Sequence, residues 1–154
     1  MEYGSIERSI RIGAAPEVVF DVVSNPEHVR QWWPDEANFD SAPGGVGELV
    51  FVSDEGEKFP VAIQVVDAVP YRLFSFRWTQ PLGEPARIGN SFLVRFELEP
   101  DGDGTLLRMT ETGFRERGWE IAVLEETYRD HEKGWDHHLS RLAPYVATYR
   151  AGRR

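Results

Sequence analysis

Alternation of apolar and polar positions opens the chain. In SIERSIRI (5–12), Ile6, Ile10 and Ile12 alternate with Glu7, Ser9 and Arg11, the period-two signature of a strand with one buried face. Arg8 interrupts the apolar side of that pattern. In AAPEVVFDVVSN the period changes. Pro16 suits the first turn of a helix, and Val18, Val19, Val22 and Val23 then recur at helical spacing, with Phe20 adding bulk. Asn25-Pro26 punctuates, EHVRQWW predicts a second short helix or turn, and Pro34 ends it. Residues 36–46, ending SAPGGVG, read as a loop.

Five strand-like runs follow: GELVFVS, FPVAIQVVDAV, RLFSFRWTQ, SFLVRFELEP and TLLRMTETGF. Their separators, DEGE, VPY, PLGEPARIG and DGDG, carry turn chemistry. Such close spacing predicts an antiparallel meander rather than parallel crossover units. From Trp119 the apolar positions Ile121, Leu124, Tyr128, Trp135, Leu139, Leu142 and Val146 step by three, four or seven. They predict one amphipathic helix about 40 Å long at ~1.5 Å per residue. Gly134 inside it costs about 1 kcal/mol relative to alanine, and marks either a close approach to the sheet or a bend. A one-sided sheet and a one-sided helix must bury their apolar faces together. The expected fold is α+β: a curved antiparallel sheet wrapped around the C-terminal helix, with two short helices after the first strand.

Period two also assigns the inward face. Phe74, Phe76 and Trp78 share a face, as do Phe92, Val94, Phe96 and Leu98, and Leu107, Met109 and Glu111. Arg77, Arg95, Glu97 and Arg108 fall on the solvated side. Glu111 is the exception among inward positions. A carboxylate there must be paired, hydrogen-bonded or wet. It is either a structural ion-pair partner, an anchor for a ligand, or an acid/base group. Adjacent Trp32 and Trp33 pose a related question, because neighbouring side chains diverge on a regular backbone. One indole is expected under the short helices. Trp33 is expected to cap or line an opening, because Pro34 leads the chain into the 36–46 loop.

Composition narrows the classes of function. The chain of 154 residues reads as a single domain, 1–154, with no internal repeat. A net charge of −9 repels phosphate backbones and anionic lipid surfaces, so nucleic acid is set aside as a partner. There is no cysteine, hence no disulfide framework or thiolate site, which fits a cytoplasmic location. MEYGSIERSI lacks the basic start and apolar run of a signal peptide, and no run reaches the ~20 apolar residues of a membrane span. His131 and His138 lie seven apart on one helix face, but no HExxH or similar spacing accompanies them, so no metal is assigned. No Gly-x-Ser-x-Gly elbow or phosphate-binding glycine loop occurs, and no cofactor is called for.

The order of elements, with APEVVFDVVSNPEHVRQWWP, GELVF, the GT before the last strand, TETGF (110–114) and GWDHHLSRLAPYV (134–146), resembles the START-like, helix-grip superfamily called SRPBCC. Within it the chain is most similar to the branch named after the activator of the heat-shock-protein-90 ATPase. The resemblance covers nearly the whole chain. It implies a deep cavity between a seven-stranded type of sheet and the long helix, where members hold lipids, sterols, polyketides or hormones; some members are cyclases. It speaks to fold more than to function. The eukaryotic activator carries an additional N-terminal domain that contacts the chaperone, and no segment before residue 5 is expected to play that part here.

The leading expectation is a module binding a small hydrophobic or amphipathic ligand. Phe74, Phe76, Trp78, Phe92, Phe96, Met109 and Trp135 would form the wall, Glu111 the polar anchor, and Trp33 with 36–46 the lid. The enzymatic alternative is a cyclase, dehydratase or hydrolase using Glu111 as acid/base, faced by His138 or Tyr128. The third reading is a chaperone-associated or stress-regulatory interaction protein. A homodimer is compatible with the pattern, although no exposed stripe specifies it.

Overall fold

The structure, a computed structural model, describes residues 2–151. Strand β1 (Ser5–Ile12) leads into helices α1 (Pro16–Ser24) and α2 (Pro26–Trp32). Six strands follow: β2 (Glu36–Phe39), β3 (Val46–Val52), β4 (Lys58–Val69), β5 (Leu73–Trp78), β6 (Phe92–Asp101) and β7 (Gly104–Thr112). A 3-10 turn (Arg115–Arg117) then precedes α3 (Ile121–Ala151). The helix starts follow from local chemistry. Pro16 and Pro26 occupy first turns, where their missing N–H groups leave nothing unsatisfied. The Asn25 side chain accepts from Glu27 N, capping α2.

All seven strands form one antiparallel sheet in the order β1-β7-β6-β5-β4-β3-β2. Consecutive strands pair by hairpins, and only β1 joins out of sequence, against β7. This is the expected α+β helix-grip architecture, a curved sheet with the long helix on its concave side. A register shift between Val65 and Asp67 in β4 bends the strand locally, as a bulge does. Ser75 fills the irregularity, its hydroxyl accepting from Asp67 N and donating to Asp67 Oδ2.

The 36–46 segment departs from the sequence expectation. Its first four residues are strand β2, paired to β3, and Gly44 and Gly45 are hydrogen-bonded to Val65 of β4. EANF buries only Phe39, too little to show a strand period in the sequence. Gly47 permits the close pairing: a Cβ there would meet Asn38 O at 2.1 Å.

Register places the inward rows. One row across the sheet reads Val65, Phe76, Val94, Glu111 and Ile6, every member at most 1% exposed. The next reads Ala68, Phe74, Phe96, Met109 and Arg8. Arg8, the flaw in the first strand's pattern, thus ends an apolar row at the sheet edge. There its guanidinium meets Asp136 at 2.7 Å and Glu132 at 3.3 Å on α3. Helix α3 buries Leu124, Trp135, Leu139, Leu142 and Val146 against the sheet. Ile121, counted in its apolar stripe, is instead exposed at the first turn.

Candidate functional site: an aromatic cleft over a buried carboxylate

Glu111 is fully buried, and its carboxylate is satisfied by three side chains. Trp78 Nε1 donates to Oε2 at 2.7 Å, Trp135 Nε1 donates to Oε1 at 2.9 Å, and His131 Nδ1 meets Oε1 at 2.7 Å. Indole N–H groups can only donate, so both require an acceptor here. With the carboxylate accepting from all three, Nδ1 is the nitrogen through which His131 donates. Nε2 has no partner among the described residues. The imidazole is held in place by rings, with Phe92 at 4.6 Å, Phe114 at 5.3 Å and Trp78 at 5.6 Å between centroids.

Above this cluster lies a cleft of about 180 Å³ lined by Trp33, Phe51, Trp78, Asp130, His131, Gly134, Trp135 and His138. The paired tryptophans are both drawn inside. Trp32 stays under the short helices, donating from Nε1 to Val22 O at 3.1 Å and meeting Phe96 edge-on. Trp33 sits at the end of α2 with φ −120° and ψ −94°, outside the helical region. That turn stacks it on Trp32, with 22° between planes, and brings its centroid to 4.9 Å from both Trp78 and Trp135. Its indole N–H makes no hydrogen bond among the described residues.

Gly134 forms the bare stretch of the helix wall. A Cβ built there meets nothing within 4 Å, so a close approach to the sheet does not account for it. One turn to either side on the same face stand His131 and His138. Burial, reinforced by His137 and Arg141, pushes His138 down to about 4, only partly opposed by the nearby Trp32 backbone and Asp35. Its buried Nδ1 has no partner.

The residues named from the sequence divide into two groups. Trp33, Trp78 and Trp135 line the cleft, and Glu111 lies behind it. Phe74, Phe76, Phe96 and Met109 are at most 1% exposed, packed in the core, and Phe92 backs the His131 ring. No residue of 36–46 lines the cleft, so that segment is not its lid. Neither His138 nor Tyr128 faces Glu111. The Tyr128 hydroxyl donates to Ser5 O at 2.8 Å, tying α3 to β1, and burial pushes its pKa up. His131 takes the place assigned to them. The signal for it in the sequence is its place four residues before inward-facing Trp135 and so on the same helix face. Phe51 and Asp130 gave no comparable signal. Among the described residues no group of His, Asp and Glu is arranged to hold a metal ion. A larger hollow of about 380 Å³ on the outer sheet face lies among Arg72, Arg95, Glu97, Glu99 and Arg108, where Arg108 and Glu99 pair at 3.6 Å; it is a solvated charged surface.

Chemically, Glu111 is sequestered: its oxygens are spent on three donors and do not reach the cleft. The titratable side chains that line the cleft are Asp130, His131 and His138, and of these His131 is oriented by Glu111.

A long helix gripped by a seven-stranded antiparallel sheet defines the helix-grip class of α+β proteins. The profile of the family described as Activator of Hsp90 ATPase homolog 1-like protein matches residues 13–147. The chain belongs to that family. No curated protein matches it. Among solved structures, a protein from Nitrosomonas europaea superposes with a TM-score of 0.77 at 19% identity, covering 98% of this chain and 99% of that one. The Aha1 dimer from Colwellia psychrerythraea gives 0.66 at 17% identity, covering 92% and 95%. DynU16, a protein of the dynemicin biosynthetic locus, gives 0.65 at 20% identity, covering 94% of this chain but 48% of its own. At such identities the likeness establishes the fold alone. No helix of the described residues is long and apolar enough to cross a membrane.

Proposed function

We propose that the protein binds a small, mostly apolar molecule in the cleft between Trp33, Trp78, Trp135 and the bare helix face at Gly134. The observation that carries this reading is Gly134 itself. A glycine within a helix costs about 1 kcal/mol, and here no packed neighbour requires it. What it preserves is open space beside three indoles. Rigid aromatic walls with few polar groups are the usual lining of a ligand site.

Volume sets the ligand class. About 180 Å³ is close to the ~150 Å³ of an apolar cavity that takes benzene, and below the ~300–1,000 Å³ of drug-sized sites. A single ring fits the cleft; a lipid or polyketide chain would extend out of it. Fold relatives include a protein from a biosynthetic locus and one solved as a dimer, which keeps a biosynthetic setting and a homodimer within this reading.

The test is native mass spectrometry of the purified protein with solvent extraction, alongside toluene titration followed by tryptophan fluorescence. A stoichiometric small molecule, or saturable toluene binding lost in Gly134→Leu, is the expected result. No co-purified molecule together with no saturable binding would overturn the proposal.

A further inference from the structure

The cleft joins an aromatic wall to an acidic rim. The Trp33 centroid lies 4.9 Å from those of Trp78 and Trp135, and Phe51 joins the group at 6.2 Å from Trp33 and 6.3 Å from Trp78. All four rings line the hollow, and no Lys or Arg does. An aromatic ring is negative on its faces and positive at its edge. Trp78 and Trp135 both turn their N–H edges onto the Glu111 carboxylate, at 2.7 and 2.9 Å, and Glu111 does not line the cleft. Those positive edges are spent behind the wall, and the hydrogen bonds to a carboxylate polarise both indoles toward greater electron density.

The charges around the hollow favour one sign of ligand. Asp130 brings an exposed carboxylate to the lining and forms no ion pair among the described residues. Asp35, also exposed, is near enough to act on His138. His138 itself, held at about 4 by burial, is uncharged at pH 7. Any positive charge on His131 is matched by Glu111 at 2.7 Å. Arg141 also acts on His138, but it lies off the lining and donates to Gln31 O at 3.1 Å. The whole chain carries −9, which draws cations at long range. A primary ammonium would need several hydrogen-bond acceptors, which an indole wall lacks; a quaternary ammonium needs none. Its methyl groups also wrap the charge in apolar surface. A trimethylammonium group is close in size to benzene, and about 180 Å³ admits it.

We infer that the cleft takes a small organic cation, a quaternary ammonium, seated against the rings of Trp33, Trp78, Trp135 and Phe51 with Asp130 at the rim. This rests on the ligand-binding reading and adds the charge of the occupant. Attraction between a cation and an aromatic ring strengthens as water is excluded, and the three indoles are at most 9% exposed. Gly134 leaves the room. The Trp33 N–H, without a partner among the described residues, suits an oxygen elsewhere on the same ligand.

The experiment is calorimetric titration of the full chain at pH 7 with choline and with 3,3-dimethylbutan-1-ol, the same shape with carbon in place of nitrogen. Choline is expected to bind about tenfold tighter or more. The variant carrying Phe51→Leu and Asp130→Asn removes one ring and the rim charge at positions that are half-buried and exposed, so the fold is kept. It is expected to lose at least about threefold in choline affinity while the neutral alcohol binds as before. If the alcohol binds the unaltered protein as tightly as choline, or toluene binds and choline does not, the cationic inference is overturned and the cleft reading stands. If choline, the alcohol and toluene all fail to bind, both are overturned. Choline affinity unchanged in the double variant would place the cation elsewhere on this acidic chain and overturn the assignment to the cleft.

Discussion

Glu111 of β7 and His131 of α3 meet at 2.7 Å in the wall between sheet and helix, and two indole N–H groups complete the same carboxylate. The helix is therefore attached to the sheet by a polar cluster inside an otherwise apolar row. Glu111→Gln keeps one oxygen as an acceptor but turns an NH₂ toward a group that must donate. Leaving one buried donor unsatisfied costs about 1–3 kcal/mol. The urea midpoint of Glu111→Gln should fall accordingly, and that of Glu111→Leu further. A Glu111→Gln midpoint equal to that of the parent would show that the cluster does not hold helix to sheet.

Gly134 gives a prediction of opposite sign. A methyl group at this position clashes with nothing, and the helix gains up to about 1 kcal/mol. Gly134→Ala should raise the melting temperature in calorimetry while narrowing the cleft, so that toluene binds more weakly. Unchanged or lower thermal stability would mean that the backbone here needs glycine for a reason other than space.

How far the sequence revealed these features depended on the range of the interaction. Strand alternation placed Phe76, Val94 and Glu111 on one face, and register confirms them as neighbours in a single row. The helical period of Leu124 to Val146 foretold α3. Both are local patterns. The partner of Glu111 was not local: choosing among Tyr128, His131 and His138 depends on how far α3 slides along the sheet, which periodicity leaves open. Likewise Phe74, Phe76, Phe96 and Met109 were rightly placed inward, but whether inward rings fence a cavity or pack against one another depends on volumes summed over the whole interior. Trp32 and Trp33 lie on opposite sides of the same limit. The non-helical backbone of Trp33, not its residue type, stacks one indole on the other.

Arg8 tests a weaker contact. Its pairs with Asp136 and Glu132 join β1 to α3, but Arg8 and Glu132 are about 30% exposed and Asp136 58%. Such pairs contribute roughly 0–1 kcal/mol and are screened by salt. Arg8→Ala should therefore cost less than Glu111→Gln, and its cost should shrink between low and 1 M salt. A loss matching that of Glu111→Gln, insensitive to salt, would show that Arg8 stabilises mainly through the packing of its stem against the apolar row.

His138 makes the fold sensitive to acid. In the folded protein burial holds it at about 4, below its ordinary 6.5; His137 and Arg141 push in the same direction, while the Trp32 backbone and Asp35 oppose them. Between those values the unfolded chain binds a proton at this position that the folded one refuses, so stability is complete above pH 6.5 and falls as the pH drops toward 4. Allowing for partial solvent screening, the loss is on the order of 1–2 kcal/mol. Chemical denaturation of the parent and His138→Leu at pH 7 and pH 4.5 isolates it, because carboxylate contributions are common to both proteins. The parent should lose more stability than the variant across that interval. Parallel losses would mean that His138 titrates as it does in the unfolded chain, and that its ring is better solvated than its unpartnered nitrogen implies.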